Sequence, residues 1–236
     1  LHNMPADLRG GVVAEPGHVF VRADLGQIEP RVLAAVSGDA ALARATQEDD
    51  MYAPVARDLG VNRATAKVAV LGAMYGQTTG HGAQVLRRLE AAYPVAMAYL
   101  ADAARAGQTS RSLRTYGGRL IPMGTTNANE VSEREARRQA AARGRYGRNA
   151  MVQGAAAELF KVWAVTVRAR VGPLGARIVL CLHDELLVHA PVDRGDAVAR
   201  LVDECLQEAA HRWAPGSPVR FVADTTVIAR WSDAKA

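Results

Sequence analysis

Apolar residues along this chain follow two rhythms, and the two are kept apart. Near the start, His18 to Ala23 (H-V-F-V-R-A) is a β-branched and aromatic run behind the turn signal Pro16-Gly17, which predicts a strand ending at Asp24. Far downstream, Arg177 to Ala190 (R-I-V-L-C-L-H-D-E-L-L-V-H-A) is apolar on both sides of His183-Asp184-Glu185, the pattern of a hairpin. Val219 to Ala223 and Thr226 to Ala229 predict two short terminal strands. Between these ends the spacing is helical. Gln27 to Val36 predicts a helix with Pro30 in its first turn, where an amide donor is unused, and Gly38 just past its end. Ala40 to Thr46, Tyr52 to Leu59, Arg63 to Tyr75, Gly82 to Ala92 and Val95 to Ala106 continue the series. A small hairpin is expected over Arg114 to Ile121, with Gly117-Gly118 in its turn. Further helices follow at about Ser132 to Arg143, about Asn149 to Val171, and Asp193 to Arg212. β-rich ends around a helical insertion make an α+β arrangement.

Composition narrows the class. The chain has 236 residues, 49% of them hydrophobic, enough to bury a sizeable core, so disorder as the dominant state is excluded. Apolar runs of about 18 residues free of charge are absent, and the opening L-H-N-M-P lacks the pattern of a signal peptide. The expectation is a soluble intracellular protein, with L-H-N-M-P read as the interior of a longer chain. Cys181 and Cys205 are the only cysteines, which gives a disulfide framework no support. The net charge is +5, and 26 of the 29 basic residues are Arg. Ten of those lie between Arg105 and Arg148 against three acids, Glu130, Glu133 and Glu135. Such a concentration suits a polyanion partner; solvated helix faces are the plain alternative.

Three groups of residues could carry chemistry. Asp24 ends one strand, and Asp184-Glu185 sit at the bend of a hairpin, so one sheet can bring them together. Carboxylates a few ångströms apart repel and resist desolvation unless a cation lies between them. Hard oxygen ligands without a matching Cys or His cluster favour Mg²⁺, which commonly shares its sphere with substrate phosphates. A polar turn would also explain Asp184-Glu185. Second, Arg63, Lys67, Leu71 and Tyr75 are spaced by four, drifting about 40° per step on one broad helix face. Two cations, an apolar residue and an aromatic suit a triphosphate at one end and a base at the other, although cations facing water on an amphipathic helix give the same pattern. Third, Arg145, Asn149 and Gln153 repeat by four, suited to phosphate and base-edge contacts, or to a satisfied core network.

Taken in order, these segments resemble the family A DNA polymerases of the bacterial DNA polymerase I type. A-D-L-G-Q-I-E-P-R (Ala23 to Arg31) is similar to the first palm motif, Asp-Tyr-Ser-Gln-Ile-Glu-Leu-Arg. R-A-T-A-K-V-A-V-L-G-A-M-Y-G (Arg63 to Gly76) resembles the fingers helix motif, Arg-x-x-x-Lys-x-x-x-Phe-Gly-x-x-Tyr-Gly. L-H-D-E (Leu182 to Glu185) matches the second palm motif. N-A-M-V-Q-G-A-A-A-E (Asn149 to Glu158) and G-G-R-L-I-P-M (Gly117 to Met123) resemble two further segments of the family.

The resemblance implies an antiparallel palm sheet with flanking helices and a mostly helical fingers insertion: palm over 1–45, fingers over 46–144, palm again over 145–236. It implies DNA-directed nucleotidyl transfer from dNTP to a primer 3′-hydroxyl, with two Mg²⁺ ions held by Asp24 and Asp184, the Leu25 carbonyl and nearby Glu185. Arg63 and Lys67 would clamp the triphosphate, Lys67 doubling as proton donor. Glu29 would stand as a steric gate against a ribose 2′-hydroxyl, Tyr75 would shape the insertion site, and Leu71 would face the incoming nucleotide. Gln27, Arg145, Asn149, Gln153 and His183 would touch primer, template or the nascent pair. Primer-template DNA and dNTP are the implied partners, together with an upstream thumb and a possible exonuclease domain of the same parent chain. The implied location is the cytoplasm, at the bacterial nucleoid, without a membrane. Leu25, Gly26, Pro30, Tyr52, Leu71, Met151 and Ala155 depart from the family pattern, and none of these departures removes a metal ligand. Two other classes fit the same features: a nucleic-acid-binding module with weakened catalysis, and a two-metal phosphodiesterase.

Overall fold

A computed structural model describes residues 6–76, 82–124 and 132–234. The opening Leu1–Pro5 and Glu130 lie outside these residues. The chain divides into two compact units, one formed by 1–28, 157–216 and 221–236, the other by 29–156 and 217–220.

The first unit is built on a four-stranded antiparallel sheet. Its strands are β1 (His18–Leu25), β4 (Arg177–Leu182), β5 (Glu185–Pro191) and β6 (Ala223–Ile228), in the order β4-β5-β1-β6. Alternation along β1 separates two faces. Val21, Ala23 and Leu25 are buried on one, as are Leu186, Val188 and Ala190 of β5. This face packs on helix α8 (Gly195–Trp213), whose inward residues Val198, Val202, Cys205, Leu206 and Ala209 are buried. Gly195 opens α8 because a Cβ there would stand 3.0 Å from Val19 Cγ2 and 3.1 Å from Val227 Cγ1. On the other face Phe20 and Leu187 form a smaller core with Leu182 and Trp231. The expected terminal strand over Val219 to Ala223 does not form. Arg220, in the second unit, gives its carbonyl to the Arg31 guanidinium at 2.6 Å and its amide to Thr46 Oγ1 at 3.2 Å. Its backbone groups are therefore taken by side chains before a strand neighbour can use them.

The second unit is helical: α1 (Ile28–Ser37, entering it at Glu29), α2 (Ala40–Ala45), α3 (Tyr52–Leu59), α4 (Arg63–Tyr75), α5 (Gly82–Ala92), α6 (Pro94–Gln108) and the first part of α7 (Glu133–Val171). A two-stranded ribbon, β2 (Leu113–Arg114) with β3 (Leu120–Ile121), supplies the expected small hairpin. The buried Asp39 carboxylate caps two helices, accepting from Ala41 and Leu42 amides with Oδ1 and from Val95 and Ala96 amides with Oδ2. Arg31 is fully buried and donates to four carbonyls, those of Thr46, Arg220, Glu48 and Asp49, at 2.6 to 2.8 Å. Burial, followed by repulsion from Arg220, lowers its pKa to about 10.

The sequence predicts two helices where α7 is continuous. Gly144 and Gly147, which lie between the two expected helices, serve close approach to α6. A Cβ at Gly107 would lie 2.3 Å from the Arg143 carbonyl oxygen, and one at Gly147 would lie 2.8 Å from that of Ala103. The two helix backbones therefore meet along a seam that only glycine fits. Gly107→Ala is expected to destabilise the chain by about 1–3 kcal/mol through overpacking against backbone, read as a lowered urea midpoint. Ala104→Gly, in the same helix, provides the control for helix propensity alone.

Candidate active site

In the first unit, the sheet register sets the acidic residues. Asp24 pairs across the ladder with Glu185 and, on its other side, with Asp224, and the Leu25 amide donates to the Asp184 carbonyl at 3.0 Å. β4 and β5 are joined through His183 and Asp184, and His183 adopts φ 53°. Gln27, just past Asp24, adopts φ 54°. Left-handed backbone at residues other than glycine costs about 1 kcal/mol or more, and it clusters where structure serves function. Here it flanks both carboxylates that sequence reasoning selected.

Burial, and then the charge of Asp184, push the Asp24 carboxyl up to about 6, against the opposing pull of Arg22. Asp184 is also raised, chiefly by burial. The charged form of both carboxylates is thus disfavoured. The donor set is all hard oxygen, and it fits a divalent cation of the Mg²⁺ kind, which would relieve that cost.

Arg22 was not singled out from the sequence. Lying two residues before Asp24 on one strand, it shares the Asp24 face, and that spacing was the available signal. Its guanidinium donates to Asp24 Oδ2 and to Glu185 Oε2, each at 2.9 Å, and lies 3.7 Å from Asp224. Glu185 is buried, and its second oxygen accepts from Trp231 Nε1. Both Glu185 oxygens are therefore engaged within the protein, whereas Asp24 retains one oxygen beyond the Arg22 bond. Leu25 itself is buried, and His183 is exposed.

The second unit gathers residues from three segments. Tyr75 donates its hydroxyl to Glu29 Oε2 at 2.6 Å and bonds to the Gln153 side chain. Burial and the Glu29 bond push the Tyr75 hydroxyl up to about 12. Thus Glu29 of α1, Tyr75 of α4 and Gln153 of α7 form one polar cluster. Helix α4 begins where the Asn62 side chain accepts from the Thr65 amide at 2.8 Å. Its packing face is Ala66, Val70, Ala73 and Met74, with Ala69 only half-buried. Arg63 is exposed, is ion-paired to Asp50 and lies over the Tyr52 ring at 5.8 Å. Lys67 is exposed, and no described carboxylate lies within ion-pair distance of it; Leu71 is half-buried. The Arg145 stem packs where a Gly76 Cβ would be, 2.9 Å from its Cγ, and its head is exposed. Asn149 Oδ1 is buried without a hydrogen-bond partner among the described residues.

The family model for DNA polymerase family A matches residues 2–233, and the chain belongs to that family. It is 34% identical over 221 residues to the thermostable DNA polymerase I of Thermus thermophilus, covering 85% of this chain and 26% of that protein. It is 29% identical over 231 residues to DNA polymerase I of Deinococcus radiodurans, covering 89% of this chain and 23% of that protein. The chain thus spans about a quarter of the length of the curated relatives it matches. Among solved structures, the fold is shared by the POL domain of Pol1 from M. smegmatis in complex with DNA primer-template and dNTP. The TM-score is 0.79 at 24% identity, over 99% of this chain and 45% of that one. Family A polymerases depend on a metal. No helix among the described residues is long and apolar enough to cross a membrane.

Arg22→Met is expected to leave Glu185 buried without its cation and to cost about 3 kcal/mol in chemical denaturation. Glu185→Gln added to it should recover part of that loss, a coupling a double-mutant cycle reads directly.

Proposed function

We propose that this chain supplies the palm and fingers of a template-directed DNA polymerase, transferring a nucleotidyl group from dNTP to a primer 3′-hydroxyl. The observation that carries this reading is the pairing of β1 with β5, which sets Asp24 opposite Glu185 and near Asp184, whose charge adds to burial in raising the Asp24 pKa to about 6. Palm would be 1–45 and 145–236, and fingers 46–144. Primer-template DNA and dNTP are the proposed partners, at the nucleoid.

Asp24 and Asp184 would hold Mg²⁺, two ions in this reading, with the Leu25 carbonyl adjoining; when bound, the metal supplies activation of the 3′-hydroxyl and neutralises leaving-group charge. Glu185 takes a different part. With Arg22 and Trp231 on its two oxygens, it anchors the strand end that carries Asp184. Arg63 and Lys67, four residues apart on the exposed side of α4, would bind the triphosphate. Lys67 is able to give a proton to departing pyrophosphate. Arg63 would exchange its Asp50 partner for phosphate, which an exposed ion pair permits at small cost. Glu29, fixed by the Tyr75 hydroxyl, would stand against a ribose 2′-hydroxyl. Gln27, Leu71, Arg145, Asn149, Gln153 and His183 would line the nucleotide and duplex, and the unpartnered Asn149 Oδ1 supports a polar ligand there.

A weakened, DNA-binding reading has one observation in its favour: the Arg22 guanidinium occupies an Asp24 oxygen that a metal would use. Primer extension with Mg²⁺ separates the two readings. Asp184→Ala in the full chain should lower extension by about a thousandfold, as loss of a main electrostatic stabiliser does, and Lys67→Ala by about a hundredfold. Extension that survives Asp184→Ala would end the polymerase assignment, and salt-sensitive DNA binding without any incorporation would favour the weaker reading.

Tyr75→Phe removes the hydrogen bond that fixes Glu29. The ribo-to-deoxyribonucleotide ratio of kcat/KM should rise about tenfold, the equivalent of one charged hydrogen bond of about 1.5 kcal/mol. An unchanged ratio would mean that Glu29 is positioned by something other than Tyr75.

A further inference from the structure

The end of the β1–β5 ladder remote from Asp24 carries a second group of metal-type ligands. Glu15, His18 and His189 each offer one ligand atom, and these atoms all lie within 4.8 Å of one another. His18 faces Pro191 and Phe20 faces His189 in the ladder, so both imidazoles project from one sheet face. Their rings stack with centroids 4.4 Å apart and planes 14° apart. Asp24 lies six steps along the strand from His18, about 20 Å at about 3.3 Å per residue.

His189 is buried, and its Nε2 accepts from the Glu15 amide at 3.4 Å and lies 4.0 Å from a Glu15 carboxylate oxygen. His18 Nδ1 lies 3.3 Å from the Pro16 carbonyl, a contact that places the proton on Nδ1 and leaves Nε2 as a ligand. The turn carrying Glu15 is tied on three sides: the Ala14 amide donates to the Ala229 carbonyl, the His18 amide to that of Glu15, and the Val192 amide to that of Gly17, at 2.9 to 3.0 Å. Burial, then the neighbouring His18, lower the His189 pKa, with Glu15 pulling the other way and Arg177 adding to the depression.

We infer that Glu15, His18 and His189 form a binding site for a borderline transition metal of the Zn²⁺ type, separate from the Asp24–Asp184 site. Two imidazoles and one carboxylate are a donor set that zinc takes with a fourth position left open, whereas Mg²⁺ prefers oxygen alone. Bonds of about 2.0–2.2 Å put tetrahedral ligand atoms roughly 3.3 Å apart. Closing from the present spacing asks for rotation of the half-buried His18 ring out of its stack on His189, movement of the exposed Glu15 carboxylate, and release of the Glu15 amide from His189 Nε2. Glu15 and His189 also line a cavity of about 260 Å³ with Phe20, Leu187, Arg177 and Trp231. Bound metal would tie the lead-in turn, the start of β1 and the end of β5 into one unit, and would add to stability by mass action.

The test is Co²⁺ titration of the full chain in a Cys181→Ser background, with excess Mg²⁺ present to fill the acidic pair. One equivalent of Co²⁺ should give the visible d–d absorption of a low-coordinate site, be displaced by Zn²⁺, and raise Tm. Because His189 is buried, the decisive variants are His18→Gln and Glu15→Gln, whose side chains are less enclosed. Each should weaken Co²⁺ binding by about tenfold or more with native circular dichroism retained, and Asp184→Asn should leave it unchanged. Absence of the d–d bands overturns the inference. Bands that persist unchanged in both His18→Gln and Glu15→Gln, or that vanish in Asp184→Asn, overturn it as well. Because the readout is spectroscopic and Asp184 serves as an internal control, failure here is distinct from failure of the polymerase reading.

Discussion

The antiparallel register between β1 and β5 is the constraint on which the acidic site depends. It sets Asp24 opposite Glu185, places the Leu25 amide on the Asp184 carbonyl, and keeps the apolar Val21, Ala23 and Leu25 on the face covered by α8. Side chains alternate with a period of two, so a slip of one residue would exchange these faces. Asp24 would then point into the helix-covered core and Ala23 toward the carboxylates. The hydrophobic face therefore enforces the chemistry of the polar face. Burial of a few alkyl groups holds in place two carboxylates that repel each other.

Two buried or nearly buried arginines show how differently the same cation is used. Arg22 sits among Asp24, Glu185 and Asp224, where its charge offsets theirs. Arg31 donates to four backbone carbonyls, and it ties α1 to the segments around Thr46, Glu48 and Arg220. Arg22 thereby tunes a charged site, while Arg31 closes loops whose backbone oxygens would otherwise lie buried and unpaired. The contrast explains why the segment from Ala23 to Arg31 is dense in polar residues although much of it is enclosed.

Within the helical unit, glycine sets the distance between helices. Gly107, Gly144 and Gly147 let α6 and α7 approach to backbone contact, and α7 in turn presents Gln153 to Tyr75 and Glu29. The polar cluster is small, yet its members come from three helices, and each is held by a bond to another rather than by rotamer preference alone.

Much of this was legible in the sequence. The strand from His18, the hairpin around His183 and Asp184, helices α3 and α4, and the four-residue spacings of Arg63, Lys67, Leu71 and Tyr75 and of Arg145, Asn149 and Gln153 follow from local periodicity, because backbone geometry fixes which side chains share a face. Local pattern was blind where a residue's partner lies far along the chain. The sequence predicts two helices across Gly144 and Gly147, where α6 supplies the surface that requires glycine in one continuous helix, and a strand over Val219 to Ala223, where Arg31 and Thr46 claim the Arg220 backbone. Arg22 was an unremarked residue of an apolar run, and Glu15, His18 and His189 were scattered letters. Sequence alone determined the α+β class, the acidic pair and the cationic helix face. Tertiary structure decided which cation meets which carboxylate, because electrostatic partnership depends on distance through space, and only the closed sheet brings positions 22, 24, 185 and 231 within hydrogen-bonding reach.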